Sequence, residues 1–128
     1  MAKKKSYDFD FDDRGGVLRI PKRMVESESF TSLSSSAKAL ILCLHSHWSF
    51  YKPIDMGVRG AGKMLNCSKD VAGRALKELE SNKFIVMHEP SNFIHSSSLG
   101  NRPKSWILTW VPFHETGRSA TKEWEQKK

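Results

Sequence analysis

What this sequence lacks narrows it first. No apolar run approaches the roughly 18 residues of a membrane span, and the opening MAKKKSYDFDFDD has no apolar signal-peptide core. Neither membrane insertion nor secretion is expected, and the cytoplasm is the expected compartment. Cysteine is scarce. Cys43 lies in an apolar run and Cys67 in a polar turn, and two cysteines without a secretion signal read as free thiols rather than a staple. No internal repeat is present. A chain of 128 residues is the size of one domain, large enough for a real core but too short for most nucleotide-hydrolysing folds.

Catalytic constellations are also missing. Gly57, four residues, then Gly62-Lys63 satisfies most of a phosphate-loop spacing. That loop needs a buried parallel strand before it and a Ser or Thr after the lysine to reach Mg²⁺. Here Met64 follows Lys63, and FYKPID before it does not read as a core strand. His45 and His47 near Tyr51 suggest a nuclease metal pair, but on a helix a separation of two turns the rings about 200° apart. They read instead as polar groups at the end of a core helix, where positive charge suits the C-terminal dipole. Cys43 and His47 share a face but lack a third ligand. His88, His95 and His114 are scattered. No catalytic residue, metal site or cofactor is expected, and the chain does not read as an enzyme.

What is present is charge in one place and apolar periodicity. The formal net charge is +7, with an isoelectric point near 9.6. Met1–Asp13 carries three lysines against four aspartates, and 114–128 carries four basic against three acidic residues, so the excess lies in 14–113. A folded basic face favours polyanions. Seven Phe and four Trp support a globular protein. The expected layout is a flexible N-terminal tail over 1–13, one folded domain over 14–113 and a charged C-terminal tail over 114–128, where ATKEWEQ can make a helical turn anchored by Trp124. In the first tail Tyr7, Phe9 and Phe11 alternate with Asp8, Asp10 and Asp12, a pattern suited to docking a partner.

Along the domain, VLRI (17–20) reads as a short strand, and Pro21 suits the first position of a short helix, KRMVES. Ser34 caps a central helix in which Ala37, Leu40, Ile41, Leu44 and Trp48 repeat at helical spacing, while Leu42 and Cys43 widen the apolar arc. VRGAGKML predicts a short helix with Val58, Ala61, Met64 and Leu65 inward. After the NCS turn, Ser68 caps a longer one with Val71, Ala72, Ala75, Leu76 and Leu79 in one arc and Asp70, Gly73, Arg74, Lys77 and Ser81 opposite. KFIVM (83–87) and SWILTWV (105–111) read as two strands joined by a long polar loop.

The run from Val58 to Met87, followed by that loop and SWILTW, resembles winged helix-turn-helix proteins. In particular it is similar to the small DNA-binding proteins of bacteria, phages and plasmids, among them regulators and replication organisers. The resemblance covers Met56 to Val111, about half of the chain, and departs from the family at Lys83, where such proteins often have Gly. It implies a mainly α fold with a small antiparallel β-hairpin. The second helix would then read bases in double-stranded DNA through Ser68, Lys69, Asp70, Gly73, Arg74 and Lys77, with Arg74 forking onto a guanine and Asp70 accepting from a cytosine amine. Lys52, Arg59 and Lys63 would hold phosphates, and Asn101, Arg102 and Lys104 would form the wing.

Transcriptional regulation is the expected role. The alternatives are a replication initiator or organiser of a mobile element, and a non-enzymatic protein-interaction module whose N-terminal tail docks a replication or transcription protein. A homodimer would suit a palindromic site, although no heptad demands one.

Overall fold

A computed structural model describes residues 12–88, 105–117 and 119–126. Among them are five α-helices, α1 Lys22–Val25, α2 Glu28–Thr31, α3 Ser35–Ser46, α4 Val58–Leu65 and α5 Lys69–Ser81. Three strands, β1 Ile54–Asp55, β2 Ile85–Met87 and β3 Ser105–Leu108, form one antiparallel sheet in the order β1-β3-β2. A 3-10 turn follows at Glu123–Gln126. The fold is mainly helical with a small sheet, as expected, and the sheet has one strand more than the expected hairpin. The expected N-terminal tail, apart from Asp12 and Asp13, lies outside the described residues.

The helices form where their caps and periodicities direct. Ser34 accepts the Ala37 N–H at 3.2 Å and starts α3. The Glu78 carboxylate of α5 accepts both the Ser34 N–H and its hydroxyl, each at 2.7 Å, so the capped end of α3 is tied to α5. Ala37, Leu40, Ile41 and Leu44 of α3 pack with Ala72, Ala75, Leu76 and Leu79 of α5 and with Phe84, Ile85, Trp106 and Leu108 from the sheet. Burying such side chains stabilises the fold by roughly 1.5–3 kcal/mol each.

Both helices of the α4–α5 pair end in the same way. Asn66 (φ 56°) and Lys83 (φ 68°) adopt left-handed backbone. After α4, the N–H of Cys67 reaches the Gly62 carbonyl at 3.0 Å and that of Asn66 reaches Lys63 at 3.2 Å. After α5, Phe84 reaches Leu79 at 3.0 Å and Lys83 reaches Glu80 at 3.1 Å. This is the 6→1 and 5→2 pairing of a Schellman motif, and the buried pair Leu79 and Phe84 supplies its apolar contact. Asn tolerates this conformation; Lys83 takes it at a cost a glycine avoids. The Thr109 hydroxyl donates to the Lys83 carbonyl at 2.8 Å and fixes the turn against the end of β3.

Several local expectations are corrected. VLRI is an irregular segment, with Val17 60% exposed, Ile20 half-buried against the core, and no strand paired with it among the described residues. Pro21 is the N-cap of α1 rather than its first residue, and α1 spans only four residues. α2, capped by Ser27 on the Phe30 N–H, was not expected. α3 stops at Ser46, so Trp48 lies beyond it, and Leu42 faces solvent. In α4 Ala61 is buried, but Val58 and Met64 are exposed. The last strand ends at Leu108; Thr109, Trp110 and Val111 are all buried without alternating.

The C-terminal segment packs back on the fold. Lys122 donates its N–H to the Thr109 carbonyl at 2.7 Å, and buried Trp124 stacks on Phe84 with centroids 6.1 Å apart and planes 3° apart.

Candidate functional site

The polar face of α5 is the surface that this packing leaves open. With Ala72, Ala75, Leu76 and Leu79 turned into the core, Lys69, Asp70, Arg74 and Lys77 are exposed and Gly73 is half-buried. An open groove runs between this face and the start of α4. It is lined by Lys69, Asp70, Gly73, Arg74 and Lys77 from α5 and by Gly57, Val58, Arg59 and Gly60 from the start of α4. Asp55 of β1, Met56 just after it and Trp106 of β3 close it on the sheet side.

The groove thus brings together five of the six residues expected to read bases, and Arg59 from those expected to hold phosphates. Ser68 is outside it: its hydroxyl accepts the Val71 N–H at 3.2 Å and is engaged in capping α5. Lys63 is exposed on the later part of α4, and Lys52 lies near Trp48 on another part of the surface. Asn101, Arg102 and Lys104 lie outside the described residues.

Electrostatically the groove is mixed, with a basic excess. Arg59, Lys69, Arg74 and Lys77 outnumber Asp55, Asp70 and Glu80. None of the four basic groups makes an ion pair with another described residue. Asp55 accepts the Ser105 hydroxyl at 2.5 Å. α4 begins at Gly57 without a side-chain cap, leaving first-turn N–H groups at the groove edge.

The two helices are set by close approach. A Cβ at Gly62 would lie 3.1 Å from the Cys67 carbonyl oxygen and 3.8 Å from the Ala72 Cβ, so the absence of a side chain at residue 62 lets α4 meet the start of α5 without a shift of the backbone between them. Gly73 differs. A Cβ there would meet the Val58 methyls at 3.8 and 3.9 Å, ordinary contact, so packing does not require its absence. Its cost in a helix, roughly 1 kcal/mol against Ala, is unexplained by the interior. Gly60 is intermediate, with a Cβ 3.3 Å from the flexible Met56 thioether.

The sheet side of the groove lies outside the residues expected from the sequence. Trp106 donates its indole N–H to the Met56 carbonyl at 2.9 Å and locks the β1–α4 junction to β3. The signal was present in PIDM: Ile54 and Met56 are buried and Asp55 is exposed, the alternation of a strand. The phosphate-loop geometry is replaced altogether, since the element before Gly57 is a two-residue antiparallel edge strand.

His45 differs from its expected part. It is buried, and its Nδ1 accepts the Trp110 indole N–H at 2.9 Å. Burial pushes its pKa down, so the ring is held neutral and contributes no charge to the end of α3. Among the described residues no group of three or more His, Cys, Asp or Glu is placed to hold a metal, and no helix is long and apolar enough to cross a membrane.

No family model, curated protein or solved structure matches the chain.

Proposed function

We propose that the chain is a winged helix-turn-helix protein that binds duplex DNA sequence-specifically as a transcriptional regulator. In this reading α5 enters the major groove, α4 supports it, and the β2–β3 hairpin carries the wing. The observation that supports it best is the convergence of Arg59, Lys69, Arg74 and Lys77 on the polar face of α5. A helix about 10–12 Å across fits a major groove about 12 Å wide. Side chains near its N-terminus then meet base edges: Asp70, Gly73 and Arg74 occupy the first two turns of α5. Gly73 supports the same reading, because a residue that packing does not require is explained by a helix that approaches a ligand closely.

The roles within the groove divide by chemistry. Arg74 presents a planar fork suited to guanine O6 and N7, and Asp70 is an acceptor suited to a cytosine amine. Arg59, at the start of α4, is placed to meet a phosphate beside the uncapped helix end. For a duplex selected from a random pool, Arg74→Ala should weaken binding about 5- to 150-fold and relax preference at one base position. Arg59→Ala should weaken binding to all sequences alike. If Arg74→Ala leaves affinity for the selected duplex unchanged while Arg59→Ala lowers it, α5 is not the reader.

A further inference from the structure

A second surface carries aromatic rings rather than charge. Tyr51, in the connection between α3 and β1, is 70% exposed, the most exposed large apolar side chain among the described residues. It is nevertheless held in place. Its ring stands edge-on to Phe50, with centroids 4.9 Å apart and planes at 83°, and lies 5.8 Å from the His114 ring at 38°. His114 in turn is 4.7 Å from Phe113, which is buried and 5.9 Å from His88. The ladder therefore runs from the interior to a ring in water.

Backbone contacts fix the ladder. His114 donates its N–H to the Phe50 carbonyl at 2.9 Å, and the Trp48 indole donates to the Pro112 carbonyl at 3.0 Å. Tyr51 itself donates its N–H to the Ser49 hydroxyl at 3.3 Å. A ring so placed adds little to the core, yet much of the ordering that a stacking ligand would otherwise impose is already made by the fold. Exposed Lys52 is the next residue in the chain and adds a positive charge to this part of the surface. Glu115 lies nearby, but its carboxylate faces the imidazoles of His88, at 3.1 Å, and His114, at 3.7 Å.

An exposed ring packed edge-on against Phe50, followed in the chain by an exposed lysine, on a protein of net charge +7, matches the requirements of base stacking: a π face for the base and positive charge for the strand. We propose that Tyr51, with His114 and Lys52, is a stacking platform for an unpaired nucleobase of a single-stranded nucleic acid. The platform uses none of the α5 groove residues, so it stands or falls separately from the duplex reading.

The test is binding of the full chain to oligothymidylate and oligouridylate of about 12 nucleotides at low salt, followed by fluorescence anisotropy. The wild-type chain should bind both. Tyr51→Ala should weaken both about tenfold, within the range that stacking of one base supports, and Tyr51→Phe should retain affinity. Duplex binding should change less than twofold in either variant, whereas Arg74→Ala should lower duplex binding and leave oligothymidylate binding nearly intact. Because Tyr51 is outside the core, both variants should keep the wild-type circular dichroism spectrum. No binding of either oligonucleotide by the wild-type chain, or equal affinity of the wild-type and Tyr51→Ala proteins for them, would overturn the platform.

Discussion

Lys83 and the two central glycines show how single residues fix this molecule. Lys83 holds a φ of 68° at the end of α5, in a backbone region that favours glycine. Lys83→Gly should therefore stabilise the protein by about 0.5–1 kcal/mol, seen as a raised urea midpoint with an unchanged slope. Gly62 and Gly73 should respond oppositely to alanine. Gly62→Ala forces a Cβ to 3.1 Å from a backbone carbonyl and should lower the melting temperature, while Gly73→Ala meets only open contact and should raise stability by roughly 1 kcal/mol. If close approach to DNA is what Gly73 serves, Gly73→Ala should at the same time weaken binding. His45 gives a pH dependence. Its folded pKa lies below the ordinary value of 6.5, so the unfolded chain takes up the proton first and stability is lost as pH falls from about 6.5 toward the folded value. Urea titrations at stepped pH should show that loss, and His45→Gln, which keeps an acceptor for Trp110, should reduce it.

At the scale of elements, α3 and α5 were legible because each announces itself twice, by a serine cap and by apolar residues at helical spacing. The polar face of α5 followed from the same geometry, and with it most of the groove. The rotation of α4 was not legible. In eight residues with two glycines the apolar pattern is too short to set a face; the backbone approach at Gly62 sets it instead, leaving Val58 and Met64 in solvent. VLRI shows the opposite error: β-prone residues make a strand only when they pair with an edge, and among the described residues VLRI pairs with none. β1 shows in the sequence only as the short alternation of Ile54, Asp55 and Met56, too brief to set a strand by itself, and it exists by virtue of pairing with Trp106 and Ser105, about 50 positions away. The same long-range pairing brings Asp55, Met56 and Trp106 to the groove.

The whole molecule combines a small apolar core with a net charge of +7 concentrated outside its ends. Trp124 draws the C-terminal segment into that core, stacking on Phe84, so the segment should contribute to stability despite its charge. Trp124→Ala should cost about 3–5 kcal/mol, the range for a buried aromatic, seen as a lower urea midpoint. The summed field of the basic face predicts attraction to any polyanion, while the groove predicts a defined number of contacts to duplex DNA. These are separated by the dependence of duplex affinity on salt for the full chain. The logarithm of the binding constant should fall with the logarithm of salt concentration by about 0.9 for each phosphate neutralised; Arg59→Ala should make the slope shallower by about 1, while Arg74→Ala, which removes a base contact, should leave it nearly unchanged. Absence of duplex binding even at low salt, or a slope that Arg59→Ala leaves unchanged, would contradict DNA recognition by the α5 face.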